Sequence, residues 1–354
     1  MSKTPQKNTR KQRHAATIHD VAERAGVSPM TVSRVVNGGK NVRESTRAAV
    51  MAAVGDLHYA PNTAARSLAG AEGARVGLLY SNPSVSFMSE VLIGALDESS
   101  RQGALLVLEK CAIGDAAGEL AAARKLTAGG VTGVILPSPL CEHPAIVAEF
   151  TQAGVPIVAI AAGFANGEMS CVRIDDFKAA RDMTRYLLSL GHRRIGFIKG
   201  QQGTTSSNER QRGFEAALRE AGIGEAPMAQ GCFNYRSGLE AAEKLLAQRP
   251  APTAIFASND DMAAATVSVA HRMGLDVPGD LSVVGFDDTA IAATIWPELT
   301  TIRQPITDMA RVAIDLVLAS IRAREAGGEA GPVDHLVLHS LIERQSAAPP
   351  AMIA

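Results

Sequence analysis

From Arg75 onward the sequence alternates short β-branched runs with longer amphipathic stretches, and this alternation restricts the fold more than any other feature. Runs at 76–81, 105–110, 131–137, 155–160, 194–200, 254–260 and 281–288 read as strands, while 88–102, 116–128, 178–190, 208–221, 235–248 and 260–273 carry helical spacing. Strands that alternate with helices form parallel sheets covered on both faces. The units are too many for one small sheet, and the pattern restarts near residue 172. The expected architecture is α/β, with two doubly wound lobes and a ligand site between them, beyond the carboxyl ends of the strands.

Those strand ends carry acids and amides. Asn82 and Phe87 follow the first strand, Asp175 and Asp176 end CVRIDD, Asn259 and Asp260 end AIFASND, and Asp287 and Asp288 end VVGFDD. A single residue of this kind is an ordinary turn former or helix cap. Four strands ending this way suit a polyol, because carboxylates and amides bond hydroxyls and an aromatic face stacks on a ring.

The first seventy residues are of another kind. The whole chain has a net charge of −1, yet residues 1–70 hold 11 Lys and Arg against 4 Asp and Glu, a net of +7, which leaves −8 for the rest. Only the first part suits an anionic partner. After a basic arm, TIHDVAERAG reads as a helix capped by Thr17, with Asp20 placed for a capping box and Gly26 as the stop. VSPMTVSRVVNGG reads as a second helix, with Ser28 as cap, Pro29 at the first helical position and Val32, Val35 and Val36 on one face. A third, from Ser45 to about Leu57, places Val50, Val54 and Leu57 on a stripe. A small Ala22, a turn at Gly26 and Val32 six residues later mark a helix-turn-helix, whose second helix offers polar and basic side chains to a major groove. In HYAPNTAARSLAG, Pro61 stops the third helix and Asn62 caps a short one ending at Gly70. About seven residues are too few for a stable helix alone, so this segment reads as a hinge that orders on DNA with Leu68 as a minor-groove wedge.

TIHDVAERAGVSPMTVSRVVNG followed by HYAPNTAARSLAG resembles the DNA-binding headpiece and hinge of the lactose-repressor (LacI) family of bacterial transcription regulators. VRIDDFKAARDMTRYLLSLGHRRIGFIKG, ERQRGFEAAL, AIFASNDDMAAATVSVAHRMGLDVPGDLSVVGFDD and PELTTIRQP extend the resemblance to about residues 17–345. It implies a core similar to periplasmic sugar-binding proteins, a homodimer on double-stranded, palindromic operator DNA, and a small-molecule effector, a sugar or glycoside, in the interlobe cleft. By the family pattern Pro29, Met30 and Arg34 face base edges, while Thr17, Ser28, Thr31, Ser33 and Asn37 hold phosphates or the helix start. Asn62, Ala65 and Leu68 match the hinge face that enters the minor groove. Arg210, Asn259 and Asp287 match effector contacts, Phe87 and Phe233 match aromatic positions of the pocket, and Gln304 lies near the pocket and the lobe crossover.

The expected organisation is a disordered basic arm at 1–16, a headpiece at 17–60, a hinge at 61–71, a core at 72–345 and a flexible tail at 346–354. Within the core the N-lobe is expected at about 72–172 plus 304–328 and the C-lobe at about 173–303 plus 329–345, with VDHLVLHSLIERQS as one final strand. The tail shows no heptad repeat, so a dimer is expected without a tetramerisation zipper. No apolar run approaches the roughly 18–20 residues of a membrane span, and the basic N-terminus has no apolar segment of the secretory kind, so a cytoplasmic protein without a membrane role is expected. Cys111, Cys141, Cys171 and Cys232 form no CxxC and read as reduced, buried small residues, and the isolated His192 and His271 read as surface or helix-end residues. There is no GxGxxG after a strand, no phosphate-binding GxxxxGK[ST] and no GxSxG, so neither an enzyme nor any cofactor or metal is expected. The competing reading is a cytoplasmic sugar-binding or sugar-processing protein with a vestigial headpiece.

Overall fold

Helices of eight residues are marginal in water, so the N-terminal part of this chain depends on caps and a shared core. The computed structural model describes residues 16–36, 42–57, 73–111 and 114–351. It divides into two units, Met1–Gly73 and Ala74–Ala354. In the first, α1 (Ile18–Ala25) begins with a full capping box: the Asp20 amide donates to Thr17 Oγ1 at 3.3 Å, and the Thr17 amide donates to Asp20 Oδ2 at 2.7 Å. Gly26 ends the helix at φ 66°, a left-handed conformation that costs glycine little. Helix α2 (Pro29–Val36) starts with the Thr31 amide donating to Ser28 Oγ at 3.2 Å, and α3 is Glu44–Asp56. Val21, Ala22, Val32, Val35, Val50 and Ala53 form the miniature core. Each buried valine contributes roughly 1.5–3 kcal/mol.

The second unit holds two six-stranded sheets. The N-lobe sheet contains β1 (Arg75–Tyr80), β2 (Leu105–Lys110), β3 (Gly133–Pro137), β4 (Ile157–Ile160), β5 (Ser170–Arg173) and β11 (Asp334–Leu336), in the order β11-β5-β4-β3-β1-β2 and parallel throughout. The C-lobe sheet contains β6 (Ile195–Lys199), β7 (Met228–Gln230), β8 (Ala254–Ala257), β9 (Ser282–Asp287), β10 (Thr300–Arg303) and β12 (Ser340–Ile342), ordered β12-β10-β9-β8-β6-β7, with only β12 antiparallel. Strands β3 and β9 are buried along their whole length, which explains their continuous apolar runs. The α/β architecture is therefore as expected.

The helices that matter for the site are α4 (Val85–Gln102), α5 (Ala116–Ala128), α6 (Pro144–Gln152), α7 (Asp176–Ser189), α8 (Thr205–Glu220), α9 (Tyr235–Leu246), α10 (Asp260–Arg272), α11 (Ala290–Thr294) and α12 (Ile306–Glu325). The chain passes between lobes three times: after β5 into α7, after β10 into α12, which packs on α4 and on β3, β4 and β5, and between β11 and β12.

Four expectations need correction. Residues 334–336 belong to the N-lobe sheet beside β5, so the last crossing is at 337–339 and the assignment of 329–345 to the C-lobe fails for β11. VDHLVLHSLIERQS is accordingly two short strands in two sheets, because the chain changes lobes in its middle. The expected flexible tail is tied down at its start: Ser346 is fully buried, donates to the Val283 carbonyl at 2.5 Å and accepts from the Thr300 amide at 2.9 Å. His192, expected at a surface or helix end, is buried beneath that segment, with Nε2 2.9 Å from the Ala348 carbonyl.

Candidate functional site

Parallel strands bring their carboxyl ends to one side of a sheet, and here the ends from both lobes converge. They line one cleft. Asn82 after β1, Ser138 after β3 and Ala161 after β4 come from the N-lobe. Gln201 after β6, Asn259 after β8, Asp287 at the end of β9 and Gln304 after β10 come from the C-lobe. Phe87 on α4 and Phe233 after β7 supply the aromatic faces.

The centre of the cleft is an ion cluster around Arg210, on α8. Its Nε donates to Asp176 Oδ1 at 2.7 Å, its Nη1 donates to the Ser258 carbonyl at 2.6 Å, and Asp287 Oδ1 lies 3.6 Å away. The guanidinium also lies 3.6 Å over the Phe286 ring and 5.5 Å from that of Phe233. Burial pushes the Asp176 carboxyl above its ordinary range, against the pull of Arg210. Burial pushes Asp287 up to about 7, against Arg210 and the amide of Gln304, whose Nε2 donates to Asp287 Oδ1 at 2.5 Å. Burial and the charge of Asp287 also raise Asp260, behind them, although Thr301 Oγ1 donates to it at 2.6 Å.

Two expected contacts serve the scaffold as well. Asn259 caps α10, accepting from the Met262 amide at 3.1 Å and donating to the Phe233 carbonyl at 3.0 Å. Asn82 donates to the Ser138 carbonyl at 2.7 Å and accepts from the Ser84 amide at 2.8 Å. Backbone strain collects at the same place. Among the described residues the non-glycine positions with positive φ are Ala161 (59°), Phe233 (55°), Asp287 (112°) and Asp288 (59°), and the first three line the cleft. Such conformations cost about 1–3 kcal/mol each and persist where the surroundings impose them.

Asn82, Phe87, Arg210, Phe233, Asn259, Asp287 and Gln304 thus lie together in one cavity wall. Asp175 does not. It is the N-cap of α7, with Oδ1 accepting from the Lys178 amide at 2.8 Å, and its neighbour Asp176 turns to Arg210 instead. Successive residues at a helix start point about 100° apart, so one of the two acids folds back on its own helix. Ser84, Ser138, Gln201, Thr204 and Ser206 also line the cleft and were not anticipated. The strand-end rule that picked Asn82 would have picked Gln201, two residues beyond β6.

In the N-terminal unit, Met30 is 73% exposed and Arg34 is exposed, whereas Pro29, Thr31 and Ser33 are half-buried. Thr17 and Ser28 are exposed, with hydroxyls engaged in capping. Asn37, Asn62, Ala65 and Leu68 lie outside the described residues. Among the described residues no three His, Cys, Asp or Glu side chains group as metal ligands, and no helix is long and apolar enough to cross a membrane.

Residues 17–62 match the family described as bacterial regulatory proteins, lacI family, and residues 184–347 match a periplasmic binding protein-like domain. Catabolite control protein A of Priestia megaterium is 35% identical over 306 residues, covering 85% of this chain and 91% of that protein. The HTH-type transcriptional repressor PurR of Erwinia tasmaniensis is 34% identical over 339 residues, covering 94% and 97%. Among solved structures, a complex of the transcriptional regulator CelR with cellobiose superposes with a TM-score of 0.69 at 31% identity, covering 94% of this chain and 99% of that one. The lac repressor dimer bound to operator and the anti-inducer ONPF superposes at 0.71 with 28% identity, covering 95% and 100%.

Proposed function

The chain belongs to the LacI family of bacterial regulatory proteins and is a ligand-responsive, DNA-binding transcriptional regulator, not an enzyme; on that basis we propose that it is a cytoplasmic homodimer that represses from a palindromic operator under the control of a sugar or glycoside. The observation that carries the effector part is the convergence of acids, amides and aromatic rings from both lobes on one cleft. The cellobiose held by CelR supports a sugar, and the lac repressor dimer on its operator supports the assembly.

On the DNA side, Arg34 is the residue for a bidentate guanine contact, worth roughly 1–3 kcal/mol of discrimination, and exposed Met30 suits a thymine methyl. Leu68, with Asn62 and Ala65, is proposed from the sequence as the minor-groove wedge. A second copy has an apolar surface to cover: Ile93 and Leu96 on α4 and Leu105 and Leu108 on β2 are each about half exposed, and β2 is a sheet edge.

The test is operator binding by the full chain, using DNA selected from a random palindromic pool. We expect affinity to fall steeply from 50 to 200 mM salt, Arg34→Ala to relax specificity at one base pair per half-site, and Leu96→Asp with Leu108→Asp to give monomers that bind poorly. Sugar binding or turnover without any operator binding would favour a sugar-handling protein with a vestigial headpiece.

A further inference from the structure

A second pocket lies beside the cleft and shares no lining residue with it. The two stand back to back, because Ala161, Thr204 and Ser206 face the cleft while Ala162 and Thr205 face the pocket. The pocket holds about 260 Å³, where about 150 Å³ is enough for a benzene ring. Buried Cys141, Ala159, Ala162 and Cys171 line it, together with Met169 and Phe164. Burial pushes the Cys171 thiol up to about 11 and the Cys141 thiol well above its ordinary value, so both present neutral, polarisable sulfur. Phe164 is 53% exposed, which leaves its ring open to a partner at the pocket. Glu142 is the one charged side chain among the lining residues. Its Oε1 accepts from Ser138 Oγ at 2.9 Å and its Oε2 from the Thr205 amide at 2.8 Å, and each oxygen keeps a further lone pair. The cation whose charge reaches Cys171, Arg173, is held by Asp334 through bonds of 2.8 and 2.7 Å. Asn166 and Thr205, the polar uncharged residues of the lining, can each donate or accept and do not select a charge.

We propose that this pocket is a second small-molecule site, for an aryl-alkyl ammonium whose ring lies among Phe164, Met169 and the two cysteines and whose cation meets Glu142. Thioether and thiol sulfur pack favourably on an aromatic ring, and Phe164 offers it an edge or a face. A carboxylate with no Lys, Arg or His in the same lining attracts a cation and repels an anion. Thr205 comes from the C-lobe and the other lining residues from the N-lobe, so an occupant also adds a contact between the lobes. The site is independent of the chemical class of the cleft effector, because the two share no residue.

The experiment uses the full chain and three probes of similar shape, 2-phenylethylamine, 2-phenylethanol and 3-phenylpropionate, with calorimetry and thermal shift as readouts. The amine should bind about five- to ten-fold more tightly than the alcohol, and the propionate most weakly. Glu142→Gln keeps an oxygen for the Thr205 amide and an NH2 group for Ser138 Oγ, and removes only the charge. Amine and alcohol should then bind that variant within about two-fold of each other. Phe164→Ala, at an exposed position that does not threaten folding, should weaken all three probes by roughly three-fold or more. Phe233→Ala, in the wall of the cleft, should leave all three affinities unchanged. No binding of the amine, a propionate that binds as well as the amine, or an amine preference that survives Glu142→Gln overturns the proposal. Loss of binding in Phe233→Ala with none in Phe164→Ala overturns it too, because the ring would then lie in the cleft.

Discussion

At the residue scale, the region around the cleft concentrates carboxyl groups whose proton affinity rises on folding. Asp176, Asp260 and Asp287 are buried and Asp261 is half-buried, and all four are held above the ordinary carboxylate range, with Asp287 at about 7. An acid whose pKa is raised on folding binds more protons in the folded chain between its unfolded value and its folded one. Stability therefore falls as pH climbs through that window. For Asp287 the window runs from its ordinary value near 3.8 to about 7. Glu98 works in the opposite sense, because its bond to Arg101 holds it at about 2, and its contribution is lost only in stronger acid. Asp287→Asn should remove one component of the loss and leave the rest. Relative to the unsubstituted protein, the variant should gain stability from pH 5 to pH 8, measured as the difference in denaturant midpoints. A constant difference across that range would show that Asp287 is already ionised in the folded chain at pH 5.

At the element scale, one substitution has opposite outcomes in the two units. Gly94, on α4, has its Cβ position 2.2 Å from the Thr307 carbonyl and 2.9 Å from Ala310 of α12, so the two helices cross backbone to backbone. Gly55, near the end of α3, has nothing within 4 Å. Gly94→Ala should destabilise the core by about 1–3 kcal/mol. Gly55→Ala should stabilise the N-terminal unit by roughly 0.5–1 kcal/mol, through the lower entropy of its unfolded chain. Melting each variant, with a separate probe for each unit, checks both signs. The same scale shows what the sequence can and cannot convey. The caps of α1 and α2 and the stop of α1 are legible because their bonds join residues three or four apart. So is the strand–helix alternation, which local patterning carries. Helix α12 repeats Ile306, Met309, Ala313, Val317 and Ile321 at helical spacing, yet lies beyond the last strand–helix unit that the alternation marks. Strands β11 and β12 have three residues each, and their alternation runs on while the chain changes lobes, so nothing local marks the crossing. The choice of Asp176 over Asp175 depends on helix phase, and the burial of Ser346 depends on strands 46 and 63 residues away.

At the scale of the whole molecule, the charge division and the lobe contacts do separate work. The net of +7 in residues 1–70 favours phosphate, and the −8 elsewhere keeps the effector core from binding DNA non-specifically. Away from the crossings, polar contacts among the described residues bridge the two lobes of the core at two places. Ser84 and Ser86 of the N-lobe donate to Asp261 of the C-lobe at 2.7 and 3.3 Å. The Thr205 amide donates to Glu142 at 2.8 Å, and the Gly163 amide donates to Thr205 Oγ1 at 2.8 Å. Asp261 does not line the cleft, so removing it alters closure without removing a wall residue. Hydrogen bonds to a charged group are worth about 1.5–3 kcal/mol, and 1.4 kcal/mol is a ten-fold change in the ratio of closed to open. A ligand that needs closed lobes then binds more weakly by the fraction of protein still closed. Asp261→Ala should accordingly weaken effector binding by about ten-fold, expand the ligand-free protein in small-angle scattering, and regain compactness at saturating effector. Linkage adds a sign that needs no knowledge of whether the effector releases or recruits the regulator. Where an effector favours closed lobes, Asp261→Ala favours open ones, so the substitution must then move operator affinity of the ligand-free protein opposite to the effector's own influence. A variant that weakens effector binding but moves operator affinity in the effector's direction, or not at all, would show that closure of these lobes is not what the DNA-binding unit senses.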